Sequence, residues 1–259
     1  MSAVIAGVRV APLLAAPALN SEQVTQLVLG EAARMVERDH DMIKVRTLLD
    51  DYEGWLHRGY VQETSVGSAE MWLVNAAWSE GATLEVGGVT LVAPHRARLP
   101  LDGGDRVRLP DGRAARIVSG SIRPWGEVMR DNSQVSPADW AWREFGGAPY
   151  LWGGVTTAGV DCSGLVQTTF LARGIPLPRD SRDQSSLGSE VDPSRIEAGD
   201  LLFFRDPQSG RVDHVAIAAD NDNIVHSTAD TGQVTLEPWV EGSRAAALRD
   251  RLHTVRRLT

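Results

Sequence analysis

Along the first half of the chain, apolar and polar residues alternate in short runs, each closed by a turn signal. The runs 24–29, 32–38, 42–48 and 54–61 have the period of half-buried strands. They are separated by Gly30-Glu31, His40-Asp41 and the Asp50-Asp51-Tyr52-Glu53-Gly54 stretch. The runs 83–86, 89–93, 105–109 and 113–119 repeat the style, broken by Gly87-Gly88, Gly103-Gly104 and Asp111-Gly112. Such even spacing predicts two small β-barrels in succession. The apolar, alanine-rich residues 1–20 read as a first strand and turn.

After residue 123 the pattern changes. Residues 123–137 read as a linker and 138–145 as a helix. Leu165, Val166, Phe170 and Leu171 form one helical stripe beginning at Cys162, and Gly174 followed by Ile175-Pro176 ends it. Gly199-Asp200 turns into a wholly apolar strand at 201–204. The strands 213–219, 223–228, 233–236 and 253–258 follow. Helices gathered ahead of an antiparallel sheet make an α+β layer arrangement. The expected domains are therefore 1–66, 67–126 and 127–259, in a chain long enough for two or three small units.

Composition narrows the function. A net charge of −8 argues against nucleic acid and against an anionic wall or lipid surface as the main partner, and leaves small peptides open. The N-terminal stretch lacks a basic leader region, and Pro12 and Pro17 interrupt it. No uninterrupted apolar run reaches the roughly 18 residues of a membrane span. These features favour the cytoplasm as the expected compartment, where a single cysteine would stay reduced.

That cysteine, Cys162, has no partner for an intrachain disulfide, and one thiol with scattered histidines makes no zinc site, so neither metal nor cofactor is expected. A buried inert thiol is the ordinary alternative. The surroundings favour a nucleophile: Cys162 falls in the first turn of its helix with Asp161 as N-cap, where free N–H groups and the helix dipole favour a thiolate. His40, His57, His95 and His253 lie in polar or turn-like stretches. His214 and His226 stand on two successive strands. Either alone is as well explained by a strand end, but an adjacent pair suits a base and the group that orients it.

Four ordered segments carry a resemblance. Pro149-Tyr150-Leu151-Trp152-Gly153-Gly154, Gly159-Val160-Asp161-Cys162-Ser163-Gly164-Leu165-Val166-Gln167, Asp213-His214-Val215-Ala216-Ile217 and Ile224-Val225-His226-Ser227 resemble the NlpC/P60 cysteine peptidases, whose domain looks like a circularly permuted papain. The Gly30-Glu31 turn, Tyr52-Glu53-Gly54-Trp55 and Gly59-Tyr60-Val61 resemble a bacterial SH3 domain. The implied architecture is two SH3-like barrels followed by an α+β NlpC/P60 domain. The resemblance implies Cys162 as nucleophile, His214 as general base and His226 as orienter, with Tyr150, Trp152, Asp161, Ser163, Asp180 and Ser181 around the substrate. In this order the parts look like the murein-recycling endopeptidases. Those hydrolyse the bond between γ-D-glutamate and L-diaminopimelate or L-lysine in stem peptides with a free L-alanine amine. By the same resemblance Glu31 and Tyr52 hold that amine, with Tyr60 as the alternative tyrosine. The expected partner is a small murein peptide and the expected state a monomer. An exported wall hydrolase, a wall-binding module and an acyltransferase of the same fold are the competing readings.

Overall fold

The computed structural model describes residues 2–258. The chain divides into two compact units, Met1–Val128 and Met129–Thr259.

In the first unit, β1 (Ser2–Ala6), β2 (Val10–Leu14), β3 (Gln23–Val28), β4 (Ala32–Asp39), β5 (Met42–Thr47), β6 (Glu53–His57) and β7 (Val61–Ser65) form one antiparallel sheet. Its order is β3-β2-β6-β5-β4-β1-β7. The residues before Asn20 thus supply two strands rather than one. The run expected at 54–61 is split by a 3-10 turn at Arg58–Tyr60. Leu27 of one end strand and Val61 of the other enter the same core as Val4, Leu13, Ile43 and Leu56. The sheet therefore curls around its interior in the SH3 manner, with its end strands unpaired among the described residues. Strand alternation sends Val4 and Ala6 into that core and Ala3 and Ile5 beneath helix α1 (Val66–Asn75). This helix had no counterpart in the strand pattern.

The strands β8 (Ala76–Val86), β9 (Val89–Ala93), β10 (Arg98–Pro100), β11 (Arg106–Arg108) and β12 (Ala114–Arg123) make a second sheet, with β8 pairing β9, β10 and β12. Val86 opposes Val89, so Gly87 and Gly88, both at positive φ, close a two-residue hairpin. The two sheets of this unit join at the Gly-Glu turn. Arg98 N–H donates to the Leu29 carbonyl, and the Trp72 indole N–H is shared between the carbonyls of Gly30 and Arg98. A Cβ on Gly30, at φ +81°, would lie 1.8 Å from the Arg98 oxygen. Only glycine fits there.

The expected linker is partly helical: Trp125–Asn132 forms α2, which contains the boundary between the units. In the second unit α3 (Pro137–Phe145) is N-capped by Ser136. A short hairpin, β13 (Val155–Thr156) and β14 (Gly159–Val160), leads into α4 (Cys162–Leu171). After α5 (Ser181–Gln184) come β15 (Ser189–Val191), β16 (Leu201–Arg205), β17 (Val212–Ala218), β18 (Asn223–Thr228) and β19 (Gln233–Pro238). Helix α6 (Ala247–Arg251) and β20 (Leu252–Arg257) finish the unit. The six-stranded antiparallel sheet runs β15-β20-β16-β17-β18-β19. Leu202, Phe204, Ala216, Ala218, Ile224 and Val255 cluster with Trp239 on one face. The alternate residues Leu201, Phe203, Val215, Ile217 and Val225 are equally buried, so the sheet is covered on both sides. Helices α3 and α4 pack against β17 and β18.

Candidate active site

Every residue of α4 is buried, and its first turn is fixed by an ionic network. The Asp161 Oδ1 accepts from Gly164 N–H at 2.7 Å as the helix N-cap, while Oδ2 accepts from Gly153 N–H at 2.8 Å and from Arg179 Nη2 at 2.5 Å. Arg179, itself 2% exposed, also donates to the Ser163 hydroxyl at 2.7 Å, and that hydroxyl donates to Asp161. Backbones here approach too closely for side chains: a Cβ on Gly164 would sit 2.1 Å from the Gly154 oxygen. The Gly-Gly and Cys-Ser-Gly segments are thus two halves of one contact. Gln184, on α5, donates to the Ser163 carbonyl and holds the 180–184 segment to the start of α4.

The cysteine turn is also tied to the histidine strands. The buried Ser227 hydroxyl donates to the Val160 carbonyl at 2.6 Å, linking β18 to the residues just before Cys162. Tyr150 N–H donates to the Gly232 carbonyl, and Leu151 N–H to that of Val160, which lays the Tyr150 segment beside both. Cys162 is 8% exposed. The backbone N–H groups of Val215 and Ser163 favour its ionised form, so the thiol lies near Val215 of β17, the residue after His214.

The Cys162 thiol is pushed up to about 12 by burial and by the Asp161 charge, which outweigh Arg179 and the two N–H groups. Desolvation and the carboxylate one residue away oppose the thiolate that the helix start favours, and their direction is toward a thiol at rest. His214 is held well below its usual value by burial, by His226 and by Arg251, and is neutral.

The imidazoles of His214 and His226 meet at 2.8 Å, Nε2 to Nδ1, and His226 Nε2 meets the Glu237 Oε1 at 2.6 Å. Glu237 opposes Ile224, two residues from the Thr235 that opposes His226, so Thr235, Glu237 and His226 share one face of β18 and β19. Burial raises the Glu237 carboxyl, but the His226 hydrogen bond and the His226 and Arg244 charges hold it below the usual range. An ionised carboxylate only accepts. His226 therefore carries its proton on Nε2, its Nδ1 accepts from His214 Nε2–H, and His214 Nδ1 is left with a free lone pair. The ring of His214 stacks on Phe204 with centroids 5.7 Å apart, which fixes its plane.

Tyr150 is half-buried. Its phenol is pushed up to about 12 by burial and by the neighbouring Cys162 and Asp161, so it is a donor at neutral pH. Trp152 is 57% exposed, Asp180 is exposed and Ser181 is buried at the start of α5. The side chains of Asp161 and Ser163 serve Arg179 and the helix cap, so these two shape the site through the backbone they hold.

In the first unit Glu31 is 7% exposed, its Oε1 lies 2.5 Å from Arg96 Nε and its Oε2 accepts from Val28 N–H. Its charge is matched inside the unit by a buried guanidinium, a partner that the sequence did not announce. Tyr52 is half-buried at the turn after β5, its N–H donating to Thr47 Oγ1.

Comparison with known proteins decides the family. The model of the NlpC/P60 family matches residues 147–257, and that of the bacterial dipeptidyl-peptidase SH3 domain matches residues 13–63. A γ-D-glutamyl-L-lysine dipeptidyl-peptidase of Bacillus cereus is 30% identical over 83% of this chain and 70% of its own length. The chain belongs to the NlpC/P60 family. It is a peptidase of the cysteine type, in a family of peptidoglycan endopeptidases. A crystal structure of a Bacillus cereus NlpC/P60 family protein superposes with a TM-score of 0.82 at 25% identity, covering 98% of this chain and 99% of that one. A murein DD-endopeptidase/murein LD-carboxypeptidase of Escherichia coli K12 is 40% identical over 38% of this chain and 48% of its own length. The second unit, which holds the NlpC/P60 match, carries Cys162 at the start of α4 and the hydrogen-bonded His214 and His226 on the neighbouring strands β17 and β18. Glu237, Ser227 and the buried role of Arg179 were absent from the sequence reading. Only the alternation Thr235-Leu236-Glu237 hinted at Glu237, and the strand register needed to use it is set by the Ala229–Gly232 turn.

Proposed function

We propose that this protein hydrolyses the bond between γ-D-glutamate and an L-diamino acid, diaminopimelate or lysine, in murein stem peptides with a free N-terminal L-alanine. The observation that supports it most is the Bacillus cereus dipeptidyl-peptidase. Its likeness runs through most of this chain, SH3-like part included, rather than through the NlpC/P60 domain alone. In this reading the protein recycles cell-wall peptides in the cytoplasm, and the substrate is a soluble peptide.

The chemistry is acyl transfer to water. His214 Nδ1 takes the proton of the Cys162 thiol as sulfur attacks the γ-carbonyl of D-glutamate. The backbone N–H of Cys162 and the Tyr150 phenol are the donors proposed for the oxyanion. Collapse expels the diamino acid amine, which leaves with the proton held on His214, and a thioester to Cys162 remains. Water then attacks the thioester, giving its proton to His214, and that proton returns to sulfur as L-Ala-D-Glu departs. His226 keeps His214 in the competent tautomer throughout. Trp152, Asp180 and Ser181 are the proposed substrate contacts beside the sulfur, and Tyr52 is retained for the alanine amine.

The test is incubation with L-Ala-γ-D-Glu-diaminopimelate, its lysine counterpart, the N-acetylated forms and intact murein. Release of L-Ala-D-Glu from the free peptides alone is the expected result. Release from intact murein at a comparable rate would favour a wall hydrolase instead. No product from any peptide with folded protein would remove the reading.

A further inference from the structure

We propose that Glu237, held by Arg244, is a positioning residue of the reaction: it anchors His226 in the Nε2–H tautomer and supplies the counter-charge for the imidazolium formed when His214 takes the thiol proton. This rests on the reading of Cys162, His214 and His226 as the catalytic group.

The geometry carries it. His214 is half-buried, and the titratable and charged groups facing it are the neutral His226 ring on β18 and Arg251 on α6, whose guanidinium is bound by Asp213. Cys162, on α4, lies against β17 at Val215, the residue after His214. Among the described residues no carboxylate hydrogen bonds to the His214 ring. Its proton-carrying side points at His226, and the far nitrogen of His226 ends on Glu237. Around Glu237 stand His226, the Arg244 guanidinium and the Thr235 hydroxyl, which donates at 3.2 Å. The order Glu237, His226, His214 is therefore a directed line of hydrogen bonds in which each acceptor is fixed by the one before it. When the thiol proton arrives on His214 Nδ1, the positive charge spreads along Nε2–H toward His226 and the carboxylate. Burial disfavours that charge, and Glu237 offsets the penalty. Arg244, 43% exposed on the 3-10 turn Arg244–Ala246, limits how much of the carboxylate charge reaches His226.

The experiment compares Glu237→Gln, Glu237→Ala and Arg244→Ala with wild type and Cys162→Ala, using the free tripeptide. Glu237→Gln is expected to lower kcat about 10- to 100-fold with little change in KM. Its acid limb of kcat/KM should move to lower pH, because a base without counter-charge is weaker. Arg244→Ala is expected to move the acid limb the opposite way, since the freed carboxylate acts wholly on His226. In ¹⁵N spectra, His226 of Glu237→Ala is expected to shift toward the Nδ1–H tautomer. A kcat within twofold of wild type and an unmoved limb in Glu237→Gln, with Cys162→Ala inactive, would overturn the inference alone. Should Glu237→Gln fail to fold, the direction of the limb in Arg244→Ala decides, and no shift there refutes it. Turnover by Cys162→Ala would instead sink the catalytic reading beneath it.

Discussion

At the scale of single residues, the site is a neutral thiol beside a neutral imidazole. The group that most reduces the thiolate population, after burial itself, is Asp161, and its carboxylate is needed to cap the same helix. Alkylation of Cys162 by iodoacetamide should therefore accelerate steadily as pH rises from 7 to 10, with no plateau at acid pH. A plateau below pH 7 would show a resting ion pair instead. Glu31 gives a second test. Its partner Arg96 is as buried as the carboxylate, so Glu31→Ala removes one half of a buried ion pair and should cost about 3–5 kcal/mol in urea unfolding. Conversely, if free and acetylated substrates are cleaved at equal rates, no amine recognition needs a carboxylate in that place. Cys162 and the two histidines could be read from the sequence because their chemistry is confined to few residue types. The engagement of Glu31 could not, since Arg96 lies 65 positions away and nothing in either neighbourhood announces the other.

At the scale of elements, the start of α4 is assembled from pieces that are distant in the chain. Asp161 with Arg179, Gly164 against Gly154, and Ser227 reaching the Val160 carbonyl set where sulfur stands relative to β17. Ser227→Ala should cost about 0.5–1.5 kcal/mol by removing one of the two hydrogen bonds to the Val160 carbonyl, the Leu151 N–H remaining, and should slow turnover while the thiol stays titratable by disulfide reagents at denaturing urea. Unchanged kcat in a stable Ser227→Ala protein would show that the link does not position the cysteine. Most elements were legible because their apolar period and turn residues agree. Helix α4 begins and ends where its cap and glycine signals lie, and the Gly87-Gly88 hairpin forms at the two-residue turn. Helix α2 was read as linker because Pro124, Gly126 and Asn132 give a loop composition, yet its buried Val128 holds one turn against the fold. Helix α1 escaped because the exposed Met71 and Val74 are as apolar as the inward Val66, Ala69, Trp72 and Leu73, so no single stripe stands out in the sequence.

At the scale of the molecule, hydrophobic spacing foretold two successive β units curled about their own cores, but not which strands would stand at the two ends of the first sheet and meet in its core. The second unit should also respond to acid as a whole. His214 is neutral when folded and held well below 6.5, whereas the unfolded chain protonates it near 6.5. The unfolded state then binds more protons below that pH, so stability is full above about 6.5 and falls as pH drops, by up to about 1.4 kcal/mol per pH unit for this one group. Urea melts at pH 7.5, 6.5 and 5.5 should show this slope, and His214→Gln should flatten it; an equal slope in both proteins would assign the acid sensitivity elsewhere, with His253 the next group to test. The protonated sulfur has one more consequence, for chemical endurance. Peroxide attacks the anion and largely spares the thiol, so a cysteine that ionises only as its proton passes to His214 is shielded from sulfenic acid formation between turnovers. Reactivity would then be confined to moments when a peptide occupies the site, and the enzyme should outlast oxidants that quickly disable peptidases holding a standing thiolate.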